Sequence, residues 1–396
     1  MNFDYDVAII GAGPVGSTLA HYLSEELSVC IIEKKKQIGY PLQCAGILSH
    51  HIFDLNELPD DLILNDVNGA FLHSKNHILN IQKEESVAFI IDRIAYDEFL
   101  FNRSLKDNVD FINQKAVDFN LEKGEVHLQD GTVVKSKVIV GCDGYNSILS
   151  NKMGNVQNNF NASQFLVKVD DEYVKSFRDS TKDCDKFVDT YLFEEILPGF
   201  LWVIPIKDNL YRIGLFSNDS HKKQNEFLEN FLNDNFKFEI IEKYKGFIPI
   251  FNEDNDIVKN RAVLIGDAAA QVKPTSGGGL LIAFDACEIA SRHILKAIKN
   301  DNLEALNDYC DEFKKKYLKE FSYQFKVQKT LNTLTNDDID YLFFKLKEND
   351  GEYLISKYGD MDTQSVLVKE FIKRGLLFKI IPSFLFKKVG KIFGFR

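Results

Sequence analysis

The sequence predicts a mixed fold, α/β and α+β, in three parts: a parallel-sheet unit at the N-terminus, a mostly antiparallel second sheet, and a helical C-terminal region. Three observations carry this. Val7-Ala8-Ile9-Ile10 is a short continuous apolar run, as a strand buried on both faces requires, and it stops at Gly11-Ala12-Gly13-Pro14-Val15-Gly16. Segments such as Ala70-Phe71-Leu72-His73 and Phe200-Leu201-Trp202-Val203-Ile204 have the alternating or aromatic character of a half-buried sheet. Beyond about residue 280 the periodicity is helical, with Lys and Glu gathered on one side of each segment.

A helix is expected after Gly16, through Leu19, Ala20, Tyr22 and Leu23. A second apolar run, Val29-Cys30-Ile31-Ile32, ends at Glu33, so residues 5–33 make one βαβ unit. Lys137-Val138-Ile139-Val140-Gly141 and Ala262-Val263-Leu264-Ile265-Gly266 repeat the pattern of a strand running into glycine, and are expected to rejoin that sheet. The expected domains are therefore 1–65 with 92–150 and 258–300, then 66–91 with 151–257 for the substrate, then a helical region over 301–396. No internal repeat or low-complexity linker interrupts them.

Composition narrows the function. A chain of 396 residues, 45% hydrophobic and 27% charged, can bury a full core. Six cysteines without CxxC spacing suggest neither a zinc site nor a disulfide framework, and fit a reducing, cytoplasmic setting; no histidine spacing suggests a metal. The acidic N-terminus is wrong for a secretory signal, and no apolar run is long enough for a transmembrane helix. A net charge of −11 argues against nucleic acid. From residue 366 onward the sign reverses, with eight basic residues against the single acid Glu370. There Phe371, Leu376, Leu377, Phe378, Ile380, Ile381, Phe384, Leu385 and Phe386 interleave with the bases. Two readings stand: the stretch lies peripherally on the inner face of an anionic membrane, or its apolar faces pack on the protein itself.

The Gly11 to Gly16 pattern follows a strand, opens a helix, and has an acid at Glu33, 22 residues after Gly11. In that context GxGxxG reads as a Rossmann-type dinucleotide site. Gly11 permits the tight turn, Gly13 lets backbone approach a pyrophosphate, and Gly16 lets helix and strand pack closely. Backbone near Val15 would face the phosphates at the helix N-terminus, and Glu33 would accept from ribose hydroxyls. The bland alternative is an ordinary βαβ turn with a solvated acid. Farther on, Pro274-Thr275-Ser276-Gly277-Gly278-Gly279 precedes an apolar helix beginning near Leu280. Gly278, Gly279 and Leu280 would sit close to a bound ring system, with the helix dipole favouring negative charge.

Gly141-Cys142-Asp143-Gly144-Tyr145-Asn146-Ser147 resembles the Asp-Gly motif, and Gly266-Asp267-Ala268-Ala269 the Gly-Asp motif, of the p-hydroxybenzoate hydroxylase superfamily of flavoproteins. The resemblance implies FAD, with Asp267 bonding the ribitol, Arg93 of Asp92-Arg93-Ile94 contacting the cofactor, and backbone near Val117 meeting the adenine. Within that superfamily the chain looks most like the geranylgeranyl reductase family, whose archaeal members saturate isoprenoid chains of membrane lipids. Beside the two glycine stretches, Pro41-Leu42-Gln43-Cys44-Ala45-Gly46 resembles that family's cysteine-glycine loop at the flavin. Pro198-Gly199-Phe200-Leu201-Trp202-Val203-Ile204-Pro205 resembles its Pro-x-x-Tyr-x-Trp-x-Phe-Pro pattern, with one residue fewer after Pro198, Phe200 for Tyr and Ile204 for Phe.

This resemblance places Cys44, Ala45 and Gly46 at the cofactor, and Phe200, Trp202 and Pro205 at an isoprenoid lipid. Cys44 is either a small buried hydrophobe or a thiol beside the cofactor that protonates the reduced bond or helps close the site over a greasy chain. Trp202 either packs in the core or lines a prenyl pocket. Reduced FAD would deliver hydride from N5 to one alkene carbon. The electron donor, ferredoxin or NAD(P)H, stays open, because no second GxGxxG unit is present. The competing reading is an FAD-dependent aromatic monooxygenase or halogenase. Halogenases of this type carry Trp-x-Trp-x-Ile-Pro, whereas Leu201-Trp202-Val203-Ile204-Pro205 holds one Trp.

Overall fold

A computed structural model describes residues 2–170 and 184–376. The N-terminal apolar run forms the strand Tyr5–Ile10, which lies between Val29–Ile32 and Val133–Gly141, parallel to both. Parallel pairing continues outward to Val109–Ile112 on one side and Ala262–Leu264 on the other. Strands buried this way read as unbroken Val and Ile runs, and Val7, Ala8, Ile9, Val138, Ile139 and Val140 are fully buried. All five point their carboxyl ends the same way. Gly11, Glu33, Cys142 and Gly266 therefore meet along one edge, where ligands of open α/β sheets bind. The helix Pro14–Leu23 packs on the helix Leu280–Lys299 across one face.

The second sheet has seven strands in the order Phe238–Pro249, Asn159–Val169, Leu210–Ser217, Leu201–Pro205, Phe187–Tyr191, Gly69–His73, Ile78–Gln82. Every pair is antiparallel except Phe187–Tyr191 with Gly69–His73. Side chains alternate between its faces. Phe165, Val167, Leu201, Val203 and Leu215 face a core closed by the helix His221–Asn235. Ala162, Gln164, Trp202 and Ile204 face the opposite way, into a cavity.

A third, three-stranded sheet lies outside the expected division of the chain. Ala88–Ile91 pairs with both Ile47–Ser49 and Ile63–Val67. The strand Ile63–Val67 runs through the boundary expected after residue 65, so the segment around it belongs with neither large sheet.

Helices follow from Leu280 onward: Asn307–Leu331, Asn336–Glu348, Gly351–Tyr358 and Ser365–Lys373. They close over the edge strand Ile78–Gln82, whose Leu79 and Ile81 pack with Ile339, Phe343 and Leu354. Phe371 and Leu376 of the basic stretch join this core, with Leu367 packed against it. Leu377, Phe378, Ile380, Ile381, Phe384, Leu385 and Phe386 lie outside the described residues. No helix of the described residues is long and apolar enough to cross a membrane.

Candidate active site

One cavity of about 860 Å³ runs from the glycine loop of the parallel sheet to the inner face of the seven-stranded sheet. At its first end, Gly11 has φ 103, and a Cβ there would lie 2.5 Å from the Cys142 carbonyl oxygen. A Cβ on Gly16 would lie 2.0 Å from the Gly11 oxygen, which is the close packing of helix on strand. Gly13 differs, since a Cβ there would meet nothing within 4 Å. It caps the helix Pro14–Leu23 without any side-chain hydrogen bond, so free N–H groups face the open space. Glu33 accepts from the Ala12 N–H at 3.0 Å and the Lys35 N–H at 2.7 Å, which fixes its carboxylate at the cavity wall with lone pairs to spare.

Midway, Arg93 begins the helix Arg93–Ser104 and meets Asp97 one turn on, Nη2 to Oδ1 3.0 Å. Burial pulls the Arg93 pKa down, but Asp97 outweighs it and the guanidinium is held charged. Burial likewise pushes Asp97 up against the opposing pull of Arg93. Asp267 lines the same stretch of wall, and its carboxylate accepts no hydrogen bond among the described residues. Burial pushes its pKa up to about 6, with Arg93 restraining the rise. The loop 273–279 packs beside it. A Cβ on Gly279 would approach Asp267 Oδ1 to 3.3 Å, and one on Gly278 would lie 2.8 Å from Lys273 Cε. Leu280, Leu281 and Ile282 then bring the uncapped N-terminus of a 20-residue helix to the cavity.

The far wall is apolar and aromatic. Phe200, Trp202, Ile204 and Val188 form it, with Phe200 and Trp202 edge to face at 6.0 Å. Gly214 makes room for the indole, because a Cβ there would sit 2.6 Å from Trp202 Cζ2. Tyr145 stacks on Phe247 at 4.2 Å across from them. Cys44 and Ala45 line the cavity between the two ends.

Three expected site residues stand elsewhere. Pro205 is buried on the opposite face of its strand, odd in parity to Trp202 and Ile204, and its carbonyl accepts from Asn65. Gly46 lies behind the wall, against the Arg212 guanidinium. Val117 is 44% exposed, and the cavity edge near it is made by Gln114, Lys115 and Ala116, just before the chain turns into the strand Ala116–Asn120.

Other residues escaped the sequence reading. Lys273 Nζ donates to Asp362 Oδ1 at 2.7 Å and to the Met361 carbonyl at 2.9 Å, so residues 360–362 complete the wall over the glycine loop. No local pattern announces a contact of such separation. Gln164 and Arg212 had a signal, since each is a polar residue inside an apolar strand. Among the described residues His51, Asp360 and Asp362 bring possible metal-ligand atoms within 4.8 Å, but Asp362 is already taken by Lys273 and Ser49.

A dinucleotide of the FAD type suits these residues. Space is open over Gly13, and among the described residues Asp267 offers an unused carboxylate and Asp143 Oδ1 is buried at the wall without a hydrogen-bond partner.

A family model described as lycopene cyclase protein matches residues 6–354. An uncharacterized protein of Methanocaldococcus jannaschii is 33% identical, over 96% of this chain and 99% of that protein. Digeranylgeranylglycerophospholipid reductase 2 of Methanococcoides burtonii is 30% identical, over 88% of this chain and 89% of that protein. Among solved structures, a geranylgeranyl bacteriochlorophyll reductase-like protein of Thermoplasma acidophilum shares the fold with a TM-score of 0.81 at 20% identity, covering 98% of this chain and 99% of that one.

Proposed function

Since the chain matches the lycopene cyclase protein family over most of its length and belongs with the geranylgeranyl reductases among its relatives, we propose that it reduces carbon–carbon double bonds in the geranylgeranyl chains of an isoprenoid glycerophospholipid with FAD. The observation that supports this best is that one cavity is lined both by a dinucleotide-type glycine loop and by a wall of Phe200, Trp202 and Ile204. A ligand lying along that wall reaches the neighbourhood of Gly278, Gly279 and Leu280.

In this reading Gly13 and the N–H groups after it hold the pyrophosphate, and Glu33 the ribose. Asp267 and Arg93 hold the ribitol side, and Leu280 to Ile282 bring the positive end of a helix to the ring system. FAD, reduced by an external donor, supplies the hydride. Phe200 and Trp202 hold the prenyl chain flat and exclude water. Cys44 Sγ–H gives its proton to the carbon that does not take the hydride, and solvent restores it. An isolated alkene carries no polar handle, so the rate rests on placement. The basic, apolar stretch after residue 376 would bring the protein to the membrane that holds the lipid.

Anaerobic incubation with dithionite-reduced FAD and geranylgeranyl glycerophospholipid tests the reading by mass spectrometry. Stepwise gains of two mass units per double bond, absent in Asp267→Ala protein, are expected. Unchanged lipid, together with oxygen-dependent gain of sixteen units on an aromatic compound, would make the protein a monooxygenase.

A further inference from the structure

Three consecutive carbonyls of the Cys44 loop are each held by a donor from outside it. Cys44 O accepts from Gln164 Nε2 at 3.2 Å, Ala45 O from Arg212 Nη1 at 3.0 Å, and Gly46 O from the Ile91 N–H at 2.8 Å. The loop also closes on itself, because the Gly46 N–H donates to Cys44 Sγ at 3.3 Å. Arg212 ties these together. Its Nη1 donates to Ile91 O as well, at 3.1 Å, and Ile91 directly precedes Asp92, the N-cap of the helix that begins with Arg93. One nitrogen thus joins the loop carrying Cys44 to the segment that sets Arg93. Position 46 answers to the same atom: its φ is 70, and a Cβ there would lie 2.0 Å from Arg212 Nη1.

Arg212 comes from the middle of the seven-stranded sheet, paired with Leu166 on one side and Ile204 on the other. It is 6% exposed and makes no ion pair among the described residues. Burial draws its pKa down, so the fold carries a desolvation cost that an apolar side chain would not. Arg212 does not line the cavity, so whatever it does for the site it does through its neighbours.

We propose that Arg212 is the positioning residue for Cys44: from behind the wall it clamps the Cys44 loop to the start of the Arg93 helix, so the substrate sheet sets where the thiol stands. Gln164 is the second point of the clamp. Its Oε1 accepts from Trp202 Nε1 at 3.0 Å, so one amide bridges the indole of the prenyl wall and the Cys44 carbonyl. The inference rests on the reading above for Cys44's chemistry, but the clamp has a readout of its own.

That readout is the alkylation rate of Cys44 by iodoacetamide, followed by peptide mass spectrometry in the full chain, with buried Cys30 and Cys287 as controls of the fold. In R212M the Cys44 rate should rise about fivefold or more, by local opening, while the controls stay fixed. R212K should fall between R212M and the parent protein. With lipid, R212M should lower kcat about tenfold with little change in KM, and R212M in a C44A background should lose nothing beyond C44A alone. An unchanged Cys44 rate in folded R212M, or additive losses with C44A, would overturn the clamp. Should R212M not fold, Q164L frees the Cys44 carbonyl together with the Trp202 indole N–H, so the Cys44 alkylation rate decides: a rise supports the clamp and an unchanged rate overturns it. Parent protein that leaves lipid unreduced would instead count against the proposed function, since the alkylation needs neither flavin nor lipid.

Discussion

Gly13 and Gly16 share a motif but stand in different surroundings, and this separates binding from folding. A methyl on Gly16 collides with backbone, and overpacking of that kind costs about 1–3 kcal/mol. A methyl on Gly13 meets only open space at φ −68, so Gly13→Ala should change stability by less than about 1 kcal/mol yet weaken FAD binding sharply. Thermal melts with fluorescence titration check both; equal destabilisation by the two substitutions would remove the phosphate role of Gly13. Asp267 gives a second residue-scale test. Its folded pKa of about 6 stands above the ordinary carboxylate value of 3.8, so between those values the native state binds more protons than the unfolded chain. Stability therefore falls as pH rises through that window, and at pH 7 the charge costs up to about 3 kcal/mol, less whatever solvent in the cavity screens. Asp267→Asn should raise the apo-protein's melting temperature at pH 7 while lowering FAD affinity, whereas in the parent protein affinity should weaken as pH drops below about 6. A melting temperature unmoved by Asp267→Asn would count against the burial that raises its pKa. These residues were legible because their chemistry is local. Arg212 was less so: a lone charge in Leu210-Tyr211-Arg212-Ile213 signals a buried partner without saying which.

At the scale of elements, legibility follows periodicity. The strand Leu201–Pro205 alternates, so placing Trp202 in the cavity also places Ile204 there and turns Leu201, Val203 and Pro205 away. Pro205 was grouped with Trp202 by motif, and parity separates them. Val117 follows a related rule, since the cavity edge is made just before the strand Ala116–Asn120 takes hold. The uncapped helix Leu280–Lys299 was readable from three glycines followed by an apolar run. What closes over it was not. Gln364 Nε2 donates to Thr275 Oγ1 at 2.7 Å, and Gln324 Nε2 to the Asp362 carbonyl at 3.2 Å, so polar side chains from the C-terminal helices pin both the glycine loop and its cover. Such contacts depend on how helices pack, which hydrophobic periodicity leaves undetermined.

For the whole molecule, the two large sheets and the helical region share the cavity, and the charge distribution sets its orientation to a lipid. The body is acidic, whereas the end of the chain is basic and aromatic. Phe371 and Leu376 already pack with Leu79 and Phe343, so the apolar character of the stretch serves the protein's own core at least to Leu376. Five basic residues, Lys379, Lys387, Lys388, Lys391 and Arg396, lie beyond that point. Near an anionic surface each contributes about 1 kcal/mol, weakened by salt. Removing residues 377–396 should therefore leave the melting temperature and FAD affinity nearly unchanged, because the buried anchors remain. The same truncation should abolish co-sedimentation with phosphatidylglycerol vesicles, whereas the full chain binds them at low salt and releases as salt rises. Equal sedimentation of both forms would move membrane contact to the folded body. Loss of stability on truncation would assign the remaining aromatic residues to the core that Phe371 and Leu376 begin.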